Sequence, residues 1–235
     1  MRVAVTRPEE DAGPLTAKLE AMGHEVVMAP LLTIKPRDGV AIPDLRWQAI
    51  AVTSANGIRA LPTGHTLTSF RTLTVGPQSL KAARAAGFAA EAHGGDVNGL
   101  AGFIRAELDP KQGPILYLSG AETAGDLEAQ LTAAGFQCIR VVLYDTAPAA
   151  SLGGLADALR SGRLDAVLLY SPRSAKIWRG LVEAAGLAAG ASAVRHLCLS
   201  RNVAAALPEG WTTAVSASPD EAAILELLEQ SGRTL

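Results

Sequence analysis

The chain has little with which to perform metal or redox chemistry. It holds two cysteines, Cys138 and Cys198, each inside an apolar run (FQCIRVVLY and HLCLS). A thiol in such a run behaves as a small buried hydrophobe, and the usage fits a reducing compartment. The four histidines, His24, His65, His93 and His196, show no ligand spacing to one another or to cysteine, so no metal site is expected. An excess of one charge is also missing: 21 Lys and Arg against 23 Asp and Glu leave a net charge of −2. No basic field invites nucleic acid. No apolar run approaches the ~18 residues that span a membrane. Met1-Arg2 is followed at once by VAVT, with no signal peptide. A cytoplasmic protein that engages neither membrane nor nucleic acid is expected.

The common signature loops are missing too. There is no GxGxxG after a strand, no GxxxxGK[ST] and no GxSxG elbow, which argues against dinucleotide, P-loop and α/β-hydrolase chemistry. The expected strand ends carry no carboxylates, which disfavours a Mg²⁺ or phospho-acceptor site. No histidine is poised beside a strand-end serine.

What is present is an alternation of short apolar strands and helical patterns, with 49% of residues hydrophobic. Strands are expected at Arg2–Thr6, Glu25–Leu32, Gln48–Thr53, Thr72–Val75, up to Gly95, Pro114–Leu118, Gln137–Tyr144, Val167–Tyr170, His196–Leu199 and Thr212–Val215. Helices are expected at Asp11–Met22, after Gly57, at Ser79–Ala86, Val97–Leu108, Asp126–Ala134 and Leu152–Arg160, from Ser174 to Ala185, after Asn202 to Leu207, and at Asp220–Gln230. Most of the strands are apolar throughout, the pattern of parallel sheets covered on both faces. The fold class is therefore α/β, doubly wound.

An internal repeat sharpens this. Arg2–Leu32 matches Pro114–Tyr144 at an offset of 112, with Leu15 on Leu127, Leu19 on Leu131 and Gly23 on Gly135. Ala49–Ile58 matches Ala166–Ala175 at 117, placing Ser54 on Ser171. Leu73–Leu100 matches Leu197–Ile224 at 124, placing Gly76 on Ser200 and Asp96 on Asp220. Each half carries the three blocks in the same order. Two cuts satisfy the repeat. One divides the chain near residue 110. The other makes crossings of MAPLLTIKP and VVLYDTAPA, so that residues 1–32 plus 149–235 form one lobe and the middle of the chain the other.

In doubly wound sheets, ligands bind beyond the carboxyl ends of the strands. Those ends are Thr6-Arg7-Pro8, Thr53 to Gly57, Gly76-Pro77-Gln78-Ser79, Ser119-Gly120, Ser171 to Ser174 and Ser200-Arg201-Asn202. Most open a helix, whose free N–H groups and dipole favour anions. Serine, asparagine and glycine are also ordinary caps and turns. The recurrence of such loops at matching repeat positions points to a ligand with several carboxylates or phosphates. The candidate binding residues are Arg7, Thr53, Ser54, Asn56, Gly57, Gly76, Ser79, Ser119, Gly120, Ser171, Arg173, Ser174, Ser200 and Asn202. An enzyme built this way works by holding and shaping its substrate.

The chain resembles the uroporphyrinogen-III synthase family. The likeness lies in VTRP (Val5–Pro8), TSANG (Thr53–Gly57), Val75-Gly76, LSG (Leu118–Gly120), the segment with Tyr144, YSPRSA (Tyr170–Ala175) and SPDEAAILELL (Ser218–Leu228). The order and spacing of these short motifs cover nearly the whole chain.

The resemblance implies two α/β lobes joined by a two-stranded antiparallel linker. The lobes are then 1–32 plus 149–235 and 37–142, with linkers at 33–36 and 143–148. It implies a cofactor-free, monomeric lyase acting on hydroxymethylbilane, a linear tetrapyrrole with eight carboxylates, and a transient contact with the preceding pathway enzyme. It also implies that Tyr144 is the catalytic residue, supplying a proton to the departing hydroxyl, while Tyr170 packs. The chain departs from the family at Ser200-Arg201-Asn202, where relatives often carry Gly-Pro-Thr, and at Ala121–Ala124, where relatives are often basic. A two-lobed polyanion-binding protein without turnover is the alternative expectation, and a regulatory domain that has lost activity is a third.

Overall fold

The structure, a computed structural model, describes residues 1–218 and 220–232. Contacts divide the chain into two units, one of Met1–Thr33 with the chain from Ala147 onward, the other of Ile34–Thr146. Each holds a sheet dominated by parallel pairing.

The first unit contains β1 (Arg2–Val5), β2 (Glu25–Met28), β9 (Ala166–Leu169), β10 (Arg195–Cys198) and β11 (Thr213–Val215). Their order is β11-β10-β9-β1-β2, every pair parallel. The four residues of β9 are wholly buried because both faces are covered. Ala166 and Leu168 face α1 (Glu9–Ala21) and α10 (Glu221–Gly232) through Leu15, Leu19, Ile224 and Leu228. Val167 and Leu169 face α6 (Leu155–Arg160), α7 (Pro172–Ala184), α8 (Ala188–Ser192) and α9 (Arg201–Ala204). This period of two, apolar on both sides, is what a covered parallel strand requires.

The second unit contains β3 (Leu32–Pro36), β4 (Ala49–Val52), β5 (Thr72–Thr74), β6 (Ala90–Ala92), β7 (Ile115–Gly120) and β8 (Cys138–Pro148), in the order β3-β8-β7-β4-β5-β6. From β8 to β6 the pairing is parallel. α2 (Ala55–Arg59) and α3 (Pro77–Ala85) cover one face, while α4 (Val97–Glu107) and α5 (Leu127–Ala133) cover the other. The glycines after α1 and α5, Gly23 and Gly135, have φ of 82° and 86°. Only glycine takes that left-handed conformation freely.

The structure corrects several expected elements. The single strand over Glu25–Leu32 is two strands in different sheets. β2 stops before Pro30, whose ring removes the N–H that a ladder needs. β8 continues past Tyr144 to Pro148. The helix expected from Leu152 begins at Leu155, after Gly153 at φ 51°. The helix after Asn202 starts earlier, at Arg201, and ends at Ala204. α8 was not anticipated, since an alanine- and glycine-rich run gives little apolar periodicity.

The two cysteines are unreactive here. Burial pushes both thiols up to about 12, far above the range of a reactive thiolate.

One buried polar group shapes the first unit's stability. His196 on β10 has no exposed surface. Its Nε2 accepts from Trp178 Nε1–H at 3.0 Å, and Trp211 stacks on the ring at 4.9 Å. An indole N–H only donates, so Nδ1 carries the proton and donates to the Thr212 carbonyl at 3.1 Å. Burial lowers the His196 pKa to about 4. The unfolded chain then binds a proton between about pH 6.5 and 4 that the folded chain refuses, so stability falls as pH drops through that window. We expect His196→Asn to remove part of this dependence, on the order of 2–3 kcal/mol across the window. Urea midpoints at pH 7 and pH 4.5 for both proteins provide the check, and equal pH slopes would refute the assignment.

Candidate functional site

Parallel pairing carries the carboxyl ends of neighbouring strands to the same edge of each sheet. In the first unit the order along that edge is Arg7 after β1, Ser171–Ser174 after β9, Ser200–Asn202 after β10, then Ser216–Ser218 after β11. In the second it is Tyr144 on β8, Ser119 and Gly120 ending β7, Thr53–Gly57 after β4, then Gly76 and Ser79 after β5.

In the first unit, Ser171 is the N-cap of α7. Its Oγ accepts from the Ser174 N–H at 3.1 Å, and the two hydroxyls lie 2.8 Å apart. Arg173, half-buried, stands in the first turn of the same helix. Ser200 precedes α9 without capping it through its side chain, and Asn202 is exposed. Beside them lies a cavity of about 460 Å³ bounded by Leu199–Arg201 and Val215–Ser218. The Ser216 hydroxyl is directed to the carbonyls of Leu199, at 2.9 Å, and Ser218, at 2.8 Å. Asp220 caps α10 through the Ala223 N–H at 2.9 Å and accepts from the Ser218 hydroxyl at 2.6 Å. The Ser218 bond, with the backbone bonds behind it, holds the Asp220 carboxyl below its usual range.

Arg7 is placed differently from its expected role. Its guanidinium is only 12% exposed and bonds Glu221 at 3.1 Å, with Asp11 at 4.0 Å. It also lies 4.7 Å from the centre of the Tyr170 ring. Lys18 bonds the other oxygen of Glu221 at 2.6 Å. These contacts tie α1 to α10 across the chain. Burial pushes the Tyr170 phenol well above its ordinary range, in keeping with a packing role.

In the second unit, Ser54 caps α2 by accepting from the Asn56 N–H at 3.3 Å. The Asn56 side chain is buried and accepts from Arg59 at 2.8 Å. The Thr53 hydroxyl meets the Tyr117 hydroxyl at 3.1 Å. Burial is the main cause raising the Tyr117 pKa, and the Thr53 bond opposes it. Gly57 lies where an added Cβ would sit 3.0 Å from the Leu118 carbonyl oxygen. Gly76 caps α3 in an extended conformation with open space at its Cβ position, whereas Ser79 is buried.

Tyr144 is 5% exposed and belongs to the core cluster of Leu116, Leu118 and Leu143. Its ring rests on Gly120, where a Cβ would stand 2.6 Å from the ring carbons Cε2 and Cζ. Arg140 holds the same turn. Its Nε donates to Ser119 Oγ, and its Nη2 to the Gly120 and Ala121 carbonyls, all at 2.8 Å. Asp145, still half exposed, forms a two-pronged ion pair with Arg37 at 2.7 and 2.8 Å, which lowers its pKa.

The residues overlooked in the sequence are Arg140, Tyr117, Glu221 and the Ser216–Ser218 turn. A single arginine inside the apolar run CIRVVLY was the available signal for Arg140. Glu221 gave none, since its partner Arg7 lies at the other end of the chain.

Two parallel-dominated sheets whose polar groups gather at the strand ends define an α/β protein. The profile of the family described as Uroporphyrinogen-III synthase HemD matches residues 13–226. The chain belongs to that family. A uroporphyrinogen-III synthase of Chlorobaculum parvum is 27% identical over 194 residues, 74% of this chain and 76% of that protein. In fold, the chain is similar to the uroporphyrinogen-III synthetase of Helicobacter pylori, with a TM-score of 0.66 at 15% identity over 98% of this chain and all of that one. It is also similar to a mutant uroporphyrinogen III synthase of Thermus thermophilus, with a TM-score of 0.57 at 18% identity over the whole of both chains. Among the described residues no helix is long and apolar enough to cross a membrane.

Two substitutions test the local geometry. Gly120→Ala is expected to cost about 1–3 kcal/mol through overpacking against the Tyr144 ring, and markedly less in a Tyr144→Leu background. Equal costs in both backgrounds, by urea unfolding, would separate Gly120 from Tyr144. Ser171→Ala is expected to lose about 1 kcal/mol of capping, with Ser171→Asp retaining most of it.

Proposed function

We propose that the chain closes hydroxymethylbilane to uroporphyrinogen III, with loss of water and inversion of the last pyrrole ring. It does so as a cofactor-free lyase of tetrapyrrole biosynthesis. The observation that carries this reading is the family match over residues 13–226, which takes in every strand-end loop except that of Arg7. Those loops suit a substrate with many carboxylates. Ser54, Gly76, Ser171 and Ser200 each stand at a helix start, and an exposed anion contact at such a terminus is worth roughly 0.3–1 kcal/mol. Ser119, Gly120, Thr53, Asn56, Gly57, Ser79, Arg173, Ser174 and Asn202 complete the proposed binding set. Arg7 enters it as a support for the loop after β1, because its charge is already shared with Glu221.

In the proposed chemistry the pyrrole nitrogen pushes out the hydroxyl group. Tyr144 gives its phenolic proton to the departing oxygen, which leaves as water. The cationic carbon is attacked by the substituted α-carbon of the last pyrrole to give a spiro intermediate. The bond from that carbon to the third ring's methylene then breaks. The free α-carbon of the now inverted pyrrole attacks the methylene cation so formed and closes the ring. The proton lost when the pyrrole regains aromaticity returns to the phenolate, so the tyrosine is unchanged after a turnover. General acid help is typically worth ~10²–10⁴-fold. A phenol of pKa ~10 is a weak acid, and the pyrrole supplies most of the push, so the lower end of that range applies.

We propose further that the two units descend from one repeat whose first blocks were exchanged. The lobes are then 1–32 plus 149–235 and 37–142, connected through 33–36 and 143–148. The strand orders support this. β2-β1-β9-β10-β11 and β8-β7-β4-β5-β6 correspond strand by strand under the sequence repeat. The Ala149 N–H bonds the Leu31 carbonyl and the Arg37 N–H bonds the Leu143 carbonyl. One segment advances as the other retreats, which supports an antiparallel connection.

The test is the isomer ratio. Hydroxymethylbilane closes spontaneously to the uninverted type I ring. Purified protein is expected to turn the product to type III, and saturable binding with an unaltered ratio would favour a binding protein without turnover. Tyr144→Phe is expected to slow turnover while the product stays type III. Unchanged kinetics would reduce Tyr144 to a packing residue.

A further inference from the structure

We propose that Arg140 is a positioning residue that aims Tyr144, an inference that rests on the catalytic reading of Tyr144 given above. The register of β7 against β8 breaks at the tyrosine. The pairing advances one for one from Ile115 with Cys138 to Ser119 with Val142, then jumps to Gly120 with Tyr144. Leu143 is the extra residue of a β-bulge. Before the bulge β8 alternates normally: Ile139 and Val141 pack in the cluster with Leu116 and Leu118, while Cys138 packs in the opposite one with Tyr117. Strict alternation would send Tyr144 to the Cys138 and Arg140 face. The bulge turns it instead, so that Leu143 and Tyr144, adjacent in sequence, lie in the same cluster. Re-aiming a side chain is a characteristic use of a bulge.

What holds the bulge is the turn that ends β7, and Arg140 grips that turn at three points. Its guanidinium binds Ser119 Oγ, the Gly120 carbonyl and the Ala121 carbonyl, each at 2.8 Å. The last two are the carbonyl of the glycine on which the Tyr144 ring rests and that of the residue after it. The Ala121 N–H closes the loop by donating to the Tyr144 carbonyl at 2.9 Å. The planar fork of an arginine suits this task, because a lysine ammonium lacks the fixed geometry to hold all three acceptors. A strand arginine whose three bonds all go to the β7 turn thereby fixes where the phenol stands.

The experiment uses the full chain labelled with 3-fluorotyrosine, whose ¹⁹F spectrum reads Tyr117, Tyr144 and Tyr170 separately once Tyr144→Phe has assigned one line. Arg140→Met and Arg140→Lys are compared by kcat, KM, thermal midpoint and this spectrum. We expect Arg140→Met to lower kcat by about 10-fold, with KM changed less than about twofold, as a misplaced group does. Arg140→Lys should recover part of the loss. The Tyr144 line should shift or broaden while the Tyr170 line stays. In a Tyr144→Phe background Arg140→Met should cost little further. An unmoved Tyr144 line, or an equal kcat loss in both backgrounds, overturns the proposal. Full activity of Tyr144→Phe together with a shifted Tyr144 line in Arg140→Met would mean that the geometry holds and the catalytic reading fails. If Arg140→Met does not fold, the same criteria apply to Arg140→Lys.

Discussion

Burial of both faces of a parallel sheet is the constraint from which the rest of this molecule follows. Once β4 and β9 are apolar on either side, no polar side chain can act from within the sheet without leaving an unpaired group in the core. Polar chemistry is driven to the strand ends, where helix starts offer unbonded N–H groups. Ser54, Ser119, Ser171 and Ser200 stand at such ends for that reason, before any substrate is considered.

The same loops must also hold themselves together, and that divides the polar residues among them. Ser54 and Ser171 cap the helices they open. Asn56 is occupied by Arg59, and Arg7 by Glu221.

Much of this was legible in the sequence. The apolar strands, the capping serines and aspartates and the glycines closing helices each obey a local rule, and the repeat located the equivalent loops. The break at Pro30 was visible as an irregular exit and MAPLLTIKP as one possible crossing, but the repeat alone left two cuts open, because strand partners are chosen by long-range pairing. Arg7 looked like a free cation since its nearer acid, Glu221, is recognisable only once α1 and α10 pack side by side. Arg140 and the bulge were beyond reach for a related reason. A one-residue jump in register leaves no mark on composition or periodicity.

The two units also differ in when they can be completed. The stretch Ile34–Thr146 is continuous, and the most distant pairing between β4 and β8, that of β4 with β7, joins Ala49 to Ile115. In the other unit β1 pairs on one side with β2 and on the other with β9, with Val3 beside Ala166. Pairings so distant in sequence form slowly. During synthesis, β1, α1 and β2 emerge before β9 and have an unfilled sheet edge until it arrives. The continuous unit can meanwhile fold. The chain thus carries its own schedule: the opening segment waits, exposing Val3 and Val5 to other strand edges, and a pause in translation between residues 146 and 166 would lengthen that exposure.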